Sequence, residues 1–362
     1  MRVLITGNMG YVGPAVVKHF RRTHPESRLE GFDSGFFAHC LTTVDGIPER
    51  RLDRQYFGDV RTLDAELLYG VDAVVMLAAI SNDPMGAQFS RVTGEINRDA
   101  AVAIAHKAAA AGVRNLVFAS SCSVYGVADG GPRREDDPVN PMTAYAASKI
   151  ETESALASIG GDMTITCLRF ATACGMSDRL RLDLVLNDFV ACALTAGRIT
   201  VLSDGSPWRP LIDVRDMARA IDWAATRSAD NGGRFLVVNA GADSANYQVR
   251  DIAEMVARHV PGCSVSINHD APADSRSYRV DFSRFAKLAP HHQPRMRLQD
   301  SVVDLVAGLR SLGFADADFR NSPLIRLHTL KALVAEGRLS DDLSWVDGAA
   351  SYGRRPIEEF VS

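Results

Sequence analysis

A glycine-rich turn near the N-terminus constrains the fold of this chain more than any other feature. The apolar run Val3–Thr6 predicts a short strand, which leads into Gly7-Asn8-Met9-Gly10-Tyr11-Val12-Gly13 and a helical stretch. In such a turn the first glycine allows a sharp change of direction, the second lets backbone approach a diphosphate, and the third lets the helix pack closely on the sheet. Free N–H groups at the helix start then favour an anion. The turn predicts a dinucleotide site that includes these seven residues.

Short apolar runs alternate with helical stretches through the first half of the chain. The predicted strands are Val3–Thr6, Leu29–Phe32, Gln55–Phe57, Asp72–Leu77, Asn115–Ala119 and Thr164–Leu168. The predicted helices are Tyr11–Arg22, Leu63–Tyr69, Gly94–Ala111 and Pro141–Ile159. Nearly continuous apolar strands between helices indicate a parallel sheet buried on both faces. Right-handed crossovers make such a sheet doubly wound, so we expect an α/β fold of the Rossmann type.

The pattern becomes less regular after about Cys174. It predicts helices over Leu180–Ala196, Asp216–Ala225 and Val249–His259, strands over Ile199–Leu202 and Phe235–Asn239, a polar loop-rich stretch over His269–Pro294, and mostly helix beyond that. We expect residues 1–174 to form the dinucleotide-binding domain, with residues 211–240 returning to it. Residues 175–210 and 241–362 are expected to form a smaller, mixed α/β substrate-binding lobe.

Charge and cysteine content exclude several classes of protein. The 362 residues carry a formal net charge of −4 with no long basic run, which argues against nucleic acid or an anionic membrane as a partner. The six cysteines show no Cys-x-x-Cys spacing, so we expect reduced thiols and no metal site. No apolar run approaches the roughly 20 residues of a membrane span, and a strand begins at once, so we expect a cytoplasmic protein without a signal peptide.

Two acidic residues follow predicted strands at the edge of the dinucleotide site. Asp33 ends the second strand, 20 residues after Gly13, where a carboxylate accepts hydrogen bonds from both ribose hydroxyls of the adenosine. It would repel the 2′-phosphate of NADP, so the sequence favours NAD. Asp59 follows the third strand and is a candidate adenine contact together with Val60. The alternative for each aspartate is a cap or turn residue.

A second group of residues points to proton transfer. In Tyr145-Ala-Ala-Ser-Lys149 the tyrosine and lysine lie one helical turn apart and share a face. A nearby ammonium and a positively charged nicotinamide ring both favour the phenolate, so we expect a lowered Tyr145 pKa. Lys149 can also bind the nicotinamide ribose. The run Ser120-Ser121-Cys122-Ser123-Val124-Tyr125-Gly126 follows the fifth strand and places a hydroxyl at the cofactor crevice.

Taken together, these elements resemble the extended short-chain dehydrogenase/reductases, the NAD-dependent epimerase/dehydratase family. The resemblance covers roughly residues 1–285. It includes Leu77-Ala78-Ala79 after the fourth strand, Asn97 in the following helix, Leu168-Arg169-Phe170, and Arg209-Pro-Leu-Ile-Asp213-Val-Arg-Asp216. It implies NAD as the cofactor and a nucleotide-activated sugar as the substrate.

The resemblance also implies roles for individual residues. Ser121, Tyr145 and Lys149 match the catalytic residues, and Arg209 matches an arginine that binds the substrate diphosphate, a task that suits the guanidinium fork. Arg276 is a second candidate for the nucleotide, with a surface ion pair as its alternative. Asn97 matches a residue near the catalytic tyrosine, and a buried structural hydrogen bond is its alternative. The remaining expected contacts are Leu77, Ala78, Ala79 and Asn97 for NAD, and Ser81, Cys122, Ser123 and Thr172 for the substrate.

Departures from the family pattern bear on the reaction. In the dehydratases that the family includes, the catalytic threonine is followed by Asp-Glu, whereas Ser121 is followed by Cys122-Ser123. Neither residue replaces an acid/base pair, so the sequence favours C4 epimerisation over 4,6-dehydration. A 4-keto-reductase commonly uses NADPH, which Asp33 disfavours. Ala171-Thr172-Ala173-Cys174 replaces a run that faces the sugar, so the sugar's identity does not transfer.

Three further interpretations stay open at this stage. An NAD-binding sensor would lack part of the Ser/Tyr/Lys set, and all three residues are present. A dehydrogenase for another alcohol is disfavoured by Arg209 and by the long C-terminal half. The resemblance further implies a homodimer formed by the helices around residues 94–111 and Tyr145, although their apolar faces are equally suited to the core.

Overall fold

The structure is a computed structural model that describes residues 1–44, 46–127, 130–271 and 277–346. Its strands are β1 (Arg2–Thr6), β2 (Arg28–Asp33), β3 (Arg54–Phe57), β4 (Ala73–Met76), β5 (Asn115–Ser121), β6 (Thr164–Phe170), β7 (Thr172–Cys174), β8 (Arg198–Val201), β9 (Trp208–Asp213), β10 (Phe235–Ala240), β11 (Asn246–Gln248) and β12 (Ser264–Ile267). Its α-helices are α1 (Gly13–Thr23), α2 (Asp83–Gln88), α3 (Ser90–Gly94), α4 (Ala101–Ala110), α5 (Ala144–Ala157), α6 (Val185–Ala196), α7 (Val214–Thr226), α8 (Val249–His259), α9 (Ser283–Leu288), α10 (Leu298–Ser311) and α11 (Arg326–Ala335).

Seven parallel strands form the central sheet, in the order β10-β6-β5-β4-β1-β2-β3. Every residue of β4 and β6 is buried, as expected for strands covered on both faces. From β1 the chain builds the sheet outward through β2 and β3, and it then returns to the other side of β1 with β4. The topological switch point therefore lies between β1 and β4. This arrangement confirms the predicted Rossmann-type fold and places the carboxyl ends of β1, β4 and β5 along one crevice.

Two small sheets lie beyond the central one. Strand β9 pairs with β7 in parallel and with β11 antiparallel, and β8 pairs with β12 in parallel. Residues 211–240 divide between the two regions, because β9 ends in the small sheet while α7 packs on α1 and β10 joins the central sheet. The domain boundaries themselves remain a prediction.

Three predicted helices differ from those in the structure. Residues 60–68 form two 3₁₀ turns, since the turn capped by Asp64 is followed within a few residues by Gly70 at a φ of 71°. The predicted helix over 94–111 contains a π-helical segment, Glu95–Ala100, before α4. Helix α6 begins only at Val185, because the residues before it are held in ion pairs at the site described below.

In the part of the chain that the structure describes, every helix is too short or too polar to cross a lipid bilayer. The same residues contain no group of three or more His, Cys, Asp or Glu side chains that could hold a metal ion.

Candidate active site

A large cavity opens at the carboxyl ends of the central strands. Its volume is about 1130 Å³. It is lined by residues that the sequence analysis selected from distant parts of the chain, namely Gly7, Gly10, Tyr11, Val12, Asp33, Asp59, Val60, Leu77, Ala78, Ala79, Ser81, Ser121, Ser123, Tyr145, Lys149, Thr172 and Arg209. The same cavity is therefore lined by both the predicted dinucleotide contacts and the predicted substrate contacts.

The glycine-rich turn has no room for side chains at two of its glycines. A Cβ atom on Gly7, whose φ is 75°, would lie 2.4 Å from the backbone nitrogen of Ala78, and one on Gly13 would lie 2.1 Å from the carbonyl oxygen of Asn8. The side chain of Asn8 turns away from the cavity and donates to Gln55 Oε1 at 2.6 Å. Asn8, Met9 and Gly13 thus shape the turn, while Gly7, Gly10, Tyr11 and Val12 line the cavity.

The two predicted acidic contacts, Asp33 and Asp59, have different partners in the structure. Asp33 accepts hydrogen bonds from the backbone N–H of Met9 at 2.9 Å and of Gly35 at 2.8 Å, which fixes its carboxylate beside the turn. Burial raises the pKa of Asp33, and these two hydrogen bonds partly oppose the rise. Asp59 pairs with the guanidinium of Arg61 at 2.6 Å. The local cap offered as the alternative is thus present at Asp33, and its contact with a ribose stays a prediction.

These features fit a dinucleotide. Backbone atoms occupy the space that a Cβ atom would need at Gly7 and Gly13, so the turn packs closely against its neighbours. The start of α1 then faces the cavity. Asp33 stands at the end of β2, where a ribose diol is bound in Rossmann-type folds. NAD would be held by the turn, by Asp33 and by Lys149, and when bound it supplies a hydride acceptor and donor.

Helix α5 presents the tyrosine and the lysine to the same cavity. Thr143 caps the helix by accepting from the N–H of Ala146. Lys149 Nζ lies 5.4 Å from the centre of the Tyr145 ring and donates to the carbonyl oxygen of Ala119, on β5, at 2.8 Å. This bond ties α5 to the strand that carries Ser121. The three predicted catalytic side chains are thereby held around one end of the cavity.

The pKa values of these groups depart from one expectation. Burial raises the pKa of Tyr145 to about 12, while the Ser121 hydroxyl and the positive charge of Arg181 oppose the rise. Burial lowers the pKa of Lys149 to about 8, and the nearby Glu153 carboxylate opposes this fall. The expected lowering of the Tyr145 pKa is thus not found in the protein alone, because burial outweighs the neighbouring charges.

Ser123 and Cys122 have opposite environments. Ser123 lines the cavity, while its hydroxyl oxygen is buried and has no hydrogen-bond partner among the described residues. A buried polar group without a partner is costly, and a substrate contact by Ser123 stays a prediction. The Cys122 thiol instead donates to the carbonyl oxygen of Arg169 at 3.1 Å beneath β5. The expected substrate contact by Cys122 is therefore wrong, because its side chain points into the core.

Asn97 lies in the π-helical segment and is almost fully buried. Its side chain accepts from the N–H of Ile80 at 2.8 Å and donates to the carbonyl oxygen of Ile80 at 3.0 Å and to Ser148 Oγ at 3.1 Å. These bonds hold the exit of β4 against α5. The expected direct contact with NAD is replaced by the structural alternative, and Asn97 acts on the site only through the backbone it fixes.

Other predicted substrate contacts line the far side of the cavity. Arg209, on β9, donates to the carbonyl oxygen of Trp208 at 2.9 Å. Thr172 is placed beside Tyr278, and Ser81 accepts from Arg181 Nη1 at 2.8 Å. Arg276 lies outside the described residues.

Arg181 was not selected from the sequence, although it lines the cavity beside Tyr145. It is 7% exposed and pairs with Asp183, with Nη2 and Oδ2 2.7 Å apart. Asn82 also donates to that carboxylate, at 2.5 Å. Burial opposes ionisation of Asp183, yet the pairing with Arg181 lowers its pKa. The alternation of charged residues and leucines in Asp178-Arg-Leu-Arg-Leu-Asp183 is the one signal that distinguishes this segment.

Comparison with known proteins identifies the family of the chain. The profile of the NAD dependent epimerase/dehydratase family matches residues 3–241. A UDP-glucose 4-epimerase from Corynebacterium glutamicum is 27% identical over 290 residues, 76% of this chain and 83% of that protein. A dTDP-glucose 4,6-dehydratase from Streptomyces griseus is 27% identical over 315 residues, 84% of this chain and 93% of that protein. The solved structure of MoeE5 in complex with UDP-glucuronic acid and NAD is 25% identical, with a TM-score of 0.72 over 86% of this chain and 100% of that one.

A Rossmann-type sheet with a glycine-rich turn, and a Ser/Tyr/Lys set on the same cavity, is the arrangement of a dinucleotide-dependent enzyme. The chain belongs to the NAD dependent epimerase/dehydratase family, which confirms the resemblance found in the sequence. It is accordingly an NAD-dependent enzyme, and its relatives include both epimerases and dehydratases of nucleotide sugars.

Proposed function

We propose that the enzyme epimerises a nucleotide-diphosphate sugar at C4 through a transient 4-keto sugar. The observation that carries this proposal is the grouping of Ser121, Tyr145 and Lys149 at one end of a cavity whose other walls suit NAD and a diphosphate. The sequence next to Ser121 supports epimerisation rather than dehydration, since the Cys122 thiol is turned into the core and Ser123 carries only a hydroxyl.

Each residue then has a defined part in the reaction. Tyr145, as phenolate, accepts the proton of the C4 hydroxyl during oxidation and returns a proton to the sugar after reduction. Ser121 hydrogen-bonds the reacting oxygen and Tyr145. Lys149 places a positive charge near Tyr145 and binds the nicotinamide ribose. Arg209 keeps the substrate diphosphate anchored while the keto sugar turns over and presents its opposite face.

Dehydration is the second candidate, because carboxylates other than Asp33 and Asp59 line the same cavity. Asp83 lies near Tyr145 and accepts from Thr143 Oγ at 2.8 Å, and Asp183 pairs with Arg181. A 4,6-dehydratase needs both a proton donor and a base beside the sugar. Asp183, held ionised by its arginine, could supply only the base. A 4-keto-reductase remains the third candidate, and the position of Asp33 at the adenosine end disfavours its usual cofactor, NADPH.

An activity screen tests the proposal. The purified protein is incubated with a panel of nucleotide sugars without added cofactor, and products are followed by NMR. Conversion to a C4 epimer, with NAD released on denaturation, is the expected result. A dehydrated 4-keto product would replace the proposal by the dehydratase, and turnover only of keto sugars with added NADH or NADPH would replace it by the reductase.

The assembly and location of the enzyme are part of the same proposal. We infer a cytoplasmic homodimer from the family pattern, with α4 and α5 as the pairing helices. Sedimentation analysis of the purified protein tests the dimer, and a monomer at micromolar concentration would refute it.

A further inference from the structure

The last part of the described chain packs against the first half of the chain. Helix α11 and the residues that follow it, to Val346, pack on elements of the first half of the chain; we call residues 326–346 the C-terminal strap. Its buried leucines form one apolar cluster with residues of the loop after β2 and of the segment after β4, namely Leu330, Leu333, Leu339 and Leu343 with Phe36, Ile80, Met85, Val92 and Ile96. The strap lies beyond residues 3–241, which match the family profile.

Polar contacts attach the end of the strap to two loops of the sheet. Trp345 Nε1 donates to the carbonyl oxygen of Ser34 at 2.7 Å, and its ring centre lies 5.7 Å from that of Phe36. Arg61 donates to the carbonyl oxygen of Asp342 at 2.9 Å and to Ser344 Oγ at 3.0 Å. The strap is thereby bonded to the residue directly after β2 and to the 3₁₀ turn that follows β3.

Both loops are walls of the adenosine end of the cavity. Ser34 follows Asp33, and Arg61 holds the carboxylate of Asp59. Ile80 and Ile96 line the cavity on one side and contact the strap leucines in the cluster on the other. The loops after β2 and β3 and the segment after β4 are therefore packed against the strap or bonded to it.

One strap residue reaches the cavity itself. Arg326 is 1% exposed and lines the cavity. Its Nη2 donates to the carbonyl oxygens of Arg179 at 2.9 Å and Leu180 at 3.2 Å, and its guanidinium lies 4.9 Å from the centre of the Phe37 ring. Among the described residues, Arg326 has no carboxylate partner within 4.0 Å. It therefore adds a positive charge to a space that receives a diphosphate.

The turn that shapes the strap is held by packing. Leu343 has a φ of 58° and is fully buried in the apolar cluster. A left-handed backbone is strained at a leucine and persists only where the surroundings fix it. The strap is thus a built element of the fold, seated on the walls of the cavity.

We propose that the C-terminal strap is the outer wall of the adenosine half of the NAD site and that it slows the release of NAD. The inference rests on the NAD site described above. The strap braces from behind the loops after β2 and β3, through its bonds to Ser34 and Arg61, so these walls should yield less readily to NAD leaving the cavity while the bonds hold. An epimerase uses its cofactor in both directions without net consumption, so slow release suits the proposed reaction.

Replacement of Trp345 tests this inference through cofactor binding. The protein is loaded with NADH and chased with excess NAD, and the loss of NADH fluorescence gives the release rate. We expect Trp345→Ala to release NADH about tenfold faster, the equivalent of about 1.4 kcal/mol. Trp345→Phe, which keeps a ring beside Phe36, should fall between the wild type and the alanine variant. Affinity for ADP-ribose should weaken in parallel, while affinity for nicotinamide mononucleotide should stay unchanged.

Two controls keep the result interpretable. Ser344→Ala removes one bond to Arg61 and serves if Trp345→Ala lowers the melting temperature sharply, and we expect it to speed release about threefold. Val303→Ala, on the exposed side of α10, should leave the rate unchanged. Wild-type release rates in the strap variants, or an equal effect of Val303→Ala, would overturn the inference. A wild-type protein that retains NAD but converts no nucleotide sugar would refute the proposed function and leave the strap inference standing.

Discussion

Glu153 and Arg169 form a buried ion pair beneath the catalytic end of β5, with Oε2 and Nη2 2.7 Å apart. The same carboxylate accepts from the hydroxyl of Ser120, the residue before Ser121, at 2.5 Å. Glu153 also lies one helical turn after Lys149, whose positive charge it favours. A single carboxylate therefore joins α5, β5 and β6 below the site.

Removing this carboxylate should cost stability. Glu153→Gln leaves Arg169 buried without its counter-charge, which we expect to lower the free energy of unfolding by about 3 kcal/mol. Glu151→Gln is a matched control on the same helix, because Glu151 pairs with Arg98 at the surface and its loss should cost less than about 1 kcal/mol. Urea denaturation measures both. Equal costs for the two variants would contradict the role assigned to the buried pair.

Tyr145→Phe should separate catalysis from cofactor binding. The ring keeps its packing while the proton acceptor is lost, so we expect turnover to fall by about 10³-fold or more with the folded state retained. NAD content after purification should match that of the wild type. Activity within tenfold of the wild type would exclude Tyr145 as the group that moves the C4 proton.

The pKa of Tyr145 predicts a defined response to NAD. In the protein alone burial raises it to about 12 from the ordinary 10.0, so the phenolate should form only at strongly alkaline pH. A positively charged nicotinamide ring beside the phenol favours the phenolate, so NAD should lower this pKa. The difference in phenolate absorbance between the wild type and Tyr145→Phe, followed by pH titration with and without NAD, measures the change. Coincident titrations would contradict it.

The same shift has a consequence for stability. The folded protein holds the Tyr145 proton more tightly than the unfolded chain, which favours folding below the unfolded pKa. This contribution is fully present below pH 10 and is lost as the pH rises through about 12. The free energy of unfolding of Tyr145→Phe should therefore fall less than that of the wild type between pH 10 and about pH 12.

Asp33 should govern the choice between NAD and NADP. Asp33→Asn keeps a hydrogen-bond acceptor for the Met9 N–H but removes the negative charge at the end of β2. We expect NAD to bind about tenfold more weakly and the preference for NAD over NADP to shrink, because repulsion of the 2′-phosphate is lost. Asp59→Asn, whose carboxylate pairs with Arg61, is the control and should keep the preference. Calorimetry with both dinucleotides measures the outcome.

Much of the site was predictable because its chemistry is encoded locally. The glycines of the first turn and the pair Tyr145 and Lys149 follow rules of spacing over a few residues, and parallel strand order brings their segments together. Ser121 was found in the same way, from its place at the end of a strand.

The rest depends on contacts between distant parts of the chain. Arg181 meets Ser81 from 100 positions away, and Trp345 meets Ser34 from 311 positions away. Cys122 and Ser123 are neighbours in sequence, yet the Cys122 thiol points into the core whereas Ser123 lines the cavity. The direction of a side chain after a strand ends is set by tertiary packing, which local patterns do not contain.

The neighbouring parallel strands β6 and β10 are separated in the chain by residues 171–234, which include β7, α6, β8 and β9. This stretch is therefore anchored to the central sheet at both of its ends, and it carries Thr172, Arg181 and Arg209. A region attached at two adjacent strands has fewer ways to move relative to the sheet than one attached at a single end. We therefore expect Thr172, Arg181 and Arg209 to move together, so that the proposed ketone intermediate could turn over inside the cavity while its diphosphate anchor stays in place.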